Sequence, residues 1–100
     1  LRVDHAPGHT EGSLTFRTER GATQPPVMLS GDLLFAGSIG RTDLAGGDAA
    51  AMVQSLIRVV LPSDDDTIVM PGHGERTTIG DERRNNPFLQ GLSTAAADGD

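Results

Sequence analysis

No apolar run in this chain goes far before a glycine or a proline halts it. Thirteen glycines and six prolines punctuate 100 residues, and three of the halts are followed at once by a potential metal ligand: Gly8 by His9 in HAPGHT, Gly31 by Asp32 in LSGD, and Gly72 by His73 in MPGHG. Glycine opens backbone angles closed to other residues, while proline fixes its own φ and has no N–H for a ladder, so each halt ends a strand. The elements must therefore be short. A residue just past such a stop sits where a strand opens into a loop, its side chain aimed by a rigid scaffold, and binding residues concentrate there. Of the three histidines in the chain, two follow Pro-Gly.

The size is that of one small domain, able to bury between ~60% and ~70% of its unfolded surface. Three aromatic residues, all Phe, leave the core to Val, Leu, Ile, Met and Ala. The formal net charge is -6 and the eight basic residues are scattered arginines, which argues against a nucleic-acid or anionic-membrane partner, since these select clustered Lys and Arg. No run approaches the ~18 apolar residues of a membrane span, and no basic-then-apolar leader opens the sequence, so a soluble, cytoplasmic protein is expected. Without cysteine there are no disulfides, thiolate metal sites or cysteine nucleophiles, and any metal must be held by His and carboxylate. A start at Leu1, directly on the strand-like LRVDH, is unusual for an intact amino terminus and points to a piece of something longer.

Leu14 and Phe16 alternate with Thr15 and Arg17 in SLTFRT, the period of a half-buried strand. Gly21 to Pro26 reads as a loop, and VMLSGD as a buried strand that stops at Gly31. After the Gly-rich GSIGRTDLAGG, Asp48 is placed to cap a helix whose apolar positions Ala49, Met52, Val53, Leu56, Ile57 and Val60 follow i, i+3, i+4 spacing until Pro62 ends it. DDDTIVMPG supplies a turn and another apolar strand, Ile68 to Met70, and TIGDERRNNPF fits a short helix before Pro87. The small, acidic STAAADGD has no periodicity and reads as a frayed tail. Strands interleaved with helices indicate α/β layering.

If the three strand ends lie side by side, two imidazoles and one carboxylate converge. These are zinc donors, at ~2.0 to 2.2 Å, and a catalytic zinc keeps a position open for water, whose pKa falls to about 7 there. Two neighbouring cations need a bridging group; a carboxylate has an oxygen for each and an imidazole does not, so Asp32 alone of the three can bridge. The spacing by itself equally fits ordinary turns, because Gly-Asp is a common turn pair and a Pro-Gly-His turn can carry a solvated imidazole.

Taken together, HAPGHTEGS, LSGDLLFAGSIGRTDLAGGD and VMPGHGERTTIGDERRNNPFL resemble the carboxy-terminal half of metallo-β-lactamase-fold hydrolases, in particular the glyoxalase II-like thioesterase branch. The likeness runs from Val3 to Leu89 with several motifs in order. It implies an α/β fold that is half of an αββα sandwich, with a mixed, mostly antiparallel sheet flanked by helices, residues 1–90 forming this half-domain and 91–100 a disordered tail. It also implies a dinuclear site, with His9 as a ligand of the first metal, Asp32 bridging both and His73 as a ligand of the second. Zinc is the expected ion, two in the complete domain, although imidazole and carboxylate also accept iron or manganese. The family's His-x-His-x-Asp-His, which supplies the remaining ligands, does not occur in this chain, so the resemblance implies a missing amino-terminal half or a complementing chain, and an isolated chain without activity.

The activity implied for the complete domain is hydrolysis of a small-molecule thioester, an S-acylated low-molecular-weight thiol, with no catalytic residues beyond the metal ligands. Two alternatives stand beside it. A related branch oxidises persulfides with a single iron, though its late motif tends to read Pro-Ala-His-Asp where this chain has PGHG; the other is a non-catalytic fragment acting as an interaction module. A lactamase-like or nuclease activity shares the metal chemistry but is not favoured by the net acidity and the GRTD loop. His5 is expected to make a structural hydrogen bond rather than to bind metal. Arg41 with Asp43 in GRTD would form a salt bridge shaping a Gly-rich turn, the alternative being that they steady the metal-site loop or approach substrate; Thr10 and Ser13 would be turn hydroxyls, and Glu82 with Asn86 would fix the last helix.

Overall fold

The computed structural model describes residues 1–43 and 46–92. The STAAADGD segment, 93–100, lies outside the described residues. Five strands form one mixed sheet: β1 (Arg2–His5), β2 (Leu14–Arg17), β3 (Val27–Gly31), β6 (Ile68–Pro71) and β7 (Thr77–Thr78), hydrogen-bonded in that order. Between β3 and β6 the chain makes a small hairpin, β4 (Leu34–Phe35) with β5 (Ser38–Ile39), and then the helix α1 (Ala49–Ser55). A second helix, α2 (Ile79–Asn85), follows β7. Of the four sheet pairings only β3 with β6 is parallel, which is the pairing that needs a long crossover, and α1 lies within it.

Strand alternation sorts the side chains. Thr15, Met28 and Val69 are buried on one face, where Met52, Leu56, Val59 and Val60 from the first helix, Ile79 from α2, Leu34 from β4, and Leu33 and Leu89 from the loops complete the core. On the other face the register aligns Val3, Phe16, Leu29 and Met70 in one row across four strands. Val3, Leu29 and Met70 of this row are each more than 40% exposed, as is Leu14 beside it. Among the described residues helices thus cover one face only, as expected of half a four-layer sandwich.

Asp48 caps α1 as the sequence predicts: its side chain accepts the Ala51 N–H at 3.0 Å. The helix departs from the expected spacing further on. From Leu56 to Val60 it widens into a π turn, closed by the Leu61 N–H donating to the Leu56 carbonyl at 3.0 Å. Leu56, Ile57, Val59 and Val60 are all buried, whereas Ala49 and Val53, expected on the apolar face, are exposed. A widened turn advances each residue by less than the α-helical angle, so consecutive apolar pairs can share one face. Among the described residues no helix is long and apolar enough to cross a membrane.

Candidate metal centre

Because β3 and β6 are parallel neighbours, their carboxyl ends open on the same rim, and the first residues past those ends are adjacent. At the end of β3 a register shift between Leu29 and Gly31 is absorbed by Gly31, at φ 53°, a conformation glycine adopts without strain. Leu33 N–H donates to the Ser30 carbonyl and the Ser30 hydroxyl to the Leu34 carbonyl, both at 2.9 Å, so the turn bearing Asp32 is closed from inside. Gly72 N–H donates to the Gly31 carbonyl at 2.9 Å, which seats His73 beside that turn.

His9 arrives by a different route. The picture of an apolar strand running directly into Gly8 needs correction: β1 ends at His5, and Ala6 to Gly8 form a connection docked on α1. Asp48 N–H donates to the Gly8 carbonyl and Ser55 Oγ to the Pro7 carbonyl, both at 2.7 Å. An edge strand has no core on its outer side to demand continuation, so the chain turns early and the helix fixes the loop instead.

Asp32 stands between the two imidazole tips. His9 Nε2 lies 3.5 Å from one oxygen of Asp32 and His73 Nε2 lies 3.3 Å from the other. A good N–H···O bond has its heavy atoms about 2.7–3.2 Å apart, so both contacts are long for hydrogen bonds. Two ligands of one tetrahedral cation, each at about 2.0–2.1 Å, stand about 3.3 Å apart, which is the spacing found on both sides of the carboxylate. Among the described residues no group of three or more His, Asp or Glu converges on a single point. Two imidazoles and a carboxylate are donors of the type that divalent cations take, and a complete site would need further ligands from elsewhere.

The ring nitrogens agree with that role. His9 Nδ1 is 2.9 Å from the Arg41 carbonyl, and a carbonyl only accepts, so Nδ1 carries a hydrogen and Nε2, the nitrogen facing Asp32, is the one through which the ring would ligate a cation. Arg41 is gripped by Asp43 through two bonds of 2.8 Å, the turn-shaping pair expected from GRTD. The loop's effect on His9 runs through the Arg41 backbone, which no sequence motif reveals. His5 turns away, its Nε2 donating to the Glu11 carbonyl at 2.6 Å. Thr10 and Ser13 hydroxyls bond each other at 2.7 Å within the turn.

Beside the three tips is a cavity of about 240 Å³, walled by Phe35, Ser38, Ile39, Gly40 and Arg41. Gly40 packs on the Asp32 backbone and on His9 Cβ, where a side chain would not fit. A larger cavity of about 400 Å³ sits at the opposite end of the sheet, between Arg17, Arg20 and Ser63. Its arginines are already engaged, Arg20 by Asp64 and Asp66 and Arg17 by the Ser63 hydroxyl, and it holds none of the convergent donors.

Comparison with known proteins places the fold in a family. Residues 1–73 match the model of the metallo-beta-lactamase superfamily, and the chain belongs to that superfamily. It is 45% identical over 93 residues to the hydroxyacylglutathione hydrolase GloC of Haemophilus influenzae, covering 93% of this chain and 42% of that protein. Among solved structures it is similar to the B3 metallo-beta-lactamase BLEG-1, with 48% identity and a TM-score of 0.80 over 89% of this chain and 41% of that one. It is also similar to TTHA1623, crystallised in a di-iron-bound form, with 43% identity and a TM-score of 0.73 over 88% of this chain and 42% of that one. The chain therefore spans about two fifths of the length of these relatives.

Proposed function

We propose that this chain supplies one half of a two-metal hydrolytic centre, in a protein that hydrolyses thioesters of low-molecular-weight thiols. One observation carries the reading: two imidazole Nε2 atoms face different oxygens of a single carboxylate at 3.5 and 3.3 Å. In this role His9 and His73 each hold one cation and Asp32 holds both, while the Arg41 carbonyl keeps His9 in the binding tautomer. Divalent cations at such a site, zinc being the expected ion, activate water near neutral pH and stabilise the oxyanion that develops at an acyl carbon. The cavity lined by Phe35, Ile39 and Gly40 is where the acyl group would rest. The thioester class is supported by the likeness to GloC, whose name gives its substrate as a hydroxyacyl glutathione.

The remaining ligands would come from a further segment of the same protein or from a complementing chain. The open row Val3, Phe16, Leu29 and Met70 supports this, since an exposed apolar stripe across four strands is the kind of surface that a second layer covers. A persulfide dioxygenase-like iron enzyme is the second reading, and the di-iron-bound form of the similar protein TTHA1623 supports iron as an ion such a site accepts.

Metal analysis and thioesterase assay of the complete protein test the proposal, beside Asp32→Ala and His73→Ala. About two metal equivalents with turnover of an S-hydroxyacyl thiol are expected, with both equivalents lost in Asp32→Ala and one in His73→Ala. Iron with oxygen uptake and no thioester turnover would select the second reading. Full metal content and activity in both variants would refute the assigned roles.

A further inference from the structure

His9 and His73 face the same carboxylate but are steadied by different means. His9 is pinned by its Nδ1–H to the Arg41 carbonyl. The His73 side chain is 77% exposed, and its ring lies against Phe35 with the centroids 4.7 Å apart and the planes 19° from parallel. A stack of that kind restrains the plane of an imidazole without choosing its tautomer. Where Phe35 stands therefore sets the plane in which His73 Nε2 approaches Asp32.

Phe35 belongs to the β4–β5 hairpin, two residues a side, which is too short to hold its own shape. What holds it is a buried polar cluster on α2 and the residue after it. Glu82, 5% exposed, accepts from the Gly37 N–H at 2.8 Å, the Thr77 hydroxyl at 2.7 Å and the Asn86 amide at 2.9 Å. Asn86, fully buried, also donates to the Ser38 carbonyl at 3.0 Å. The cluster thus ties the tip and the returning strand of the hairpin to the second helix. A buried carboxylate carries a desolvation cost that an apolar residue would avoid. What it delivers here is a fixed backbone on either side of the ring that meets His73.

We propose that Phe35 is a positioning residue for His73, and that the Glu82–Asn86 cluster acts on the candidate centre by fixing Phe35. The proposal rests on the reading of His73 as a metal ligand. It gives the GDLLF segment and the second helix a shared role, which is to orient the one imidazole of the pair whose ring no backbone carbonyl pins among the described residues.

The test uses the complete protein, first without metal and then titrated with Zn²⁺, in wild type, Phe35→Leu, Phe35→Tyr and Glu82→Gln. In the metal-free protein the ring-current shift of the His73 ring protons should be lost in Phe35→Leu, kept in Phe35→Tyr and reduced in Glu82→Gln. In the titration the second zinc equivalent should weaken about 10-fold in Phe35→Leu, with the first unchanged and Phe35→Tyr near wild type. Wild-type affinity for both equivalents in Phe35→Leu would overturn the positioning role, as would equal weakening of both. A wild type that takes up no zinc would instead refute the metal reading, and this proposal with it. If Glu82→Gln fails to fold, the two Phe35 variants decide.

Discussion

The backbone carbonyl of Arg41 accepts the Nδ1–H of His9 at 2.9 Å, so a loop on the far side of the hairpin sets the tautomer of a ring 32 positions earlier in the chain. The loop is braced by the paired bonds of Arg41 to Asp43, and these hydrogen bonds hold the Asp43 carboxyl at a pKa of about 2, below its ordinary 3.8. A depressed carboxyl pKa contributes stability that is present above the unfolded value and is lost as the pH falls through the folded one. The brace should therefore persist down to pH 3.8 and be released between there and about 2. A carbon-detected NMR titration should place the Asp43 midpoint near the lower value and return it toward the upper one in Arg41→Met. A native midpoint near 3.8 would show that the pair does not form in solution.

Gly8 is required by space as well as by angle. Its φ is 147°, and a Cβ there would come within 2.5 Å of Met52 Cα. Gly8→Ala should push the His9 loop off α1 and cost about 1–3 kcal/mol in urea unfolding of the complete protein. Gly12→Ala, with open space around it, is the control and should stay within about 0.5 kcal/mol. Similar midpoints for the two variants would contradict the docked geometry.

The cap of α1 gives a smaller, separable effect. Removing the Asp48 acceptor in Asp48→Ala leaves the Ala51 N–H without its partner and should lower stability by about 1 kcal/mol, read from the thermal midpoint. Asp48→Ser should recover most of it, since serine offers an equivalent oxygen. No loss in the alanine variant would mean that another group caps the helix.

The open face makes a prediction about the rest of the protein. Leu29 is 48% exposed here, in the middle of the apolar row. If a further layer covers that row, Leu29→Asp should destabilise the complete protein by at least about 2 kcal/mol, because the carboxylate would be buried without a partner. Thr23→Asp, on an exposed loop, should be neutral. Equal denaturation midpoints for the two would show that the face stays in water.

Much of this architecture can be read from residues alone where a pattern is long enough to repeat. The alternation in LTFR marks β2, the apolar VML and IVM runs mark β3 and β6, and Asp48 marks the start of α1. Two-residue strands such as Leu34–Phe35 and Thr77–Thr78 show no period, and both are missed. The π turn at Leu56–Val60 is also missed, because its signature is a backbone bond and not a residue type. At the candidate centre, His9, Asp32 and His73 are legible from their glycine stops, and the structure brings them together. The Arg41 carbonyl and the Phe35 stack are not legible, since one is a main-chain atom and the other depends on a turn closed by residues about 45 positions away. Glu82 and Asn86 bond each other at the end of the last helix, as expected, and reach across to the hairpin as well.

Leu29 precedes Asp32, and Met70 precedes His73, by the same three residues. Three residues of strand measure about 10 Å, so anything seated on those two apolar side chains already stands at the threshold of the donor atoms. If the layer that dries the underside of the sheet also carries the last ligands, metal uptake would report on assembly as directly as it reports on chemistry.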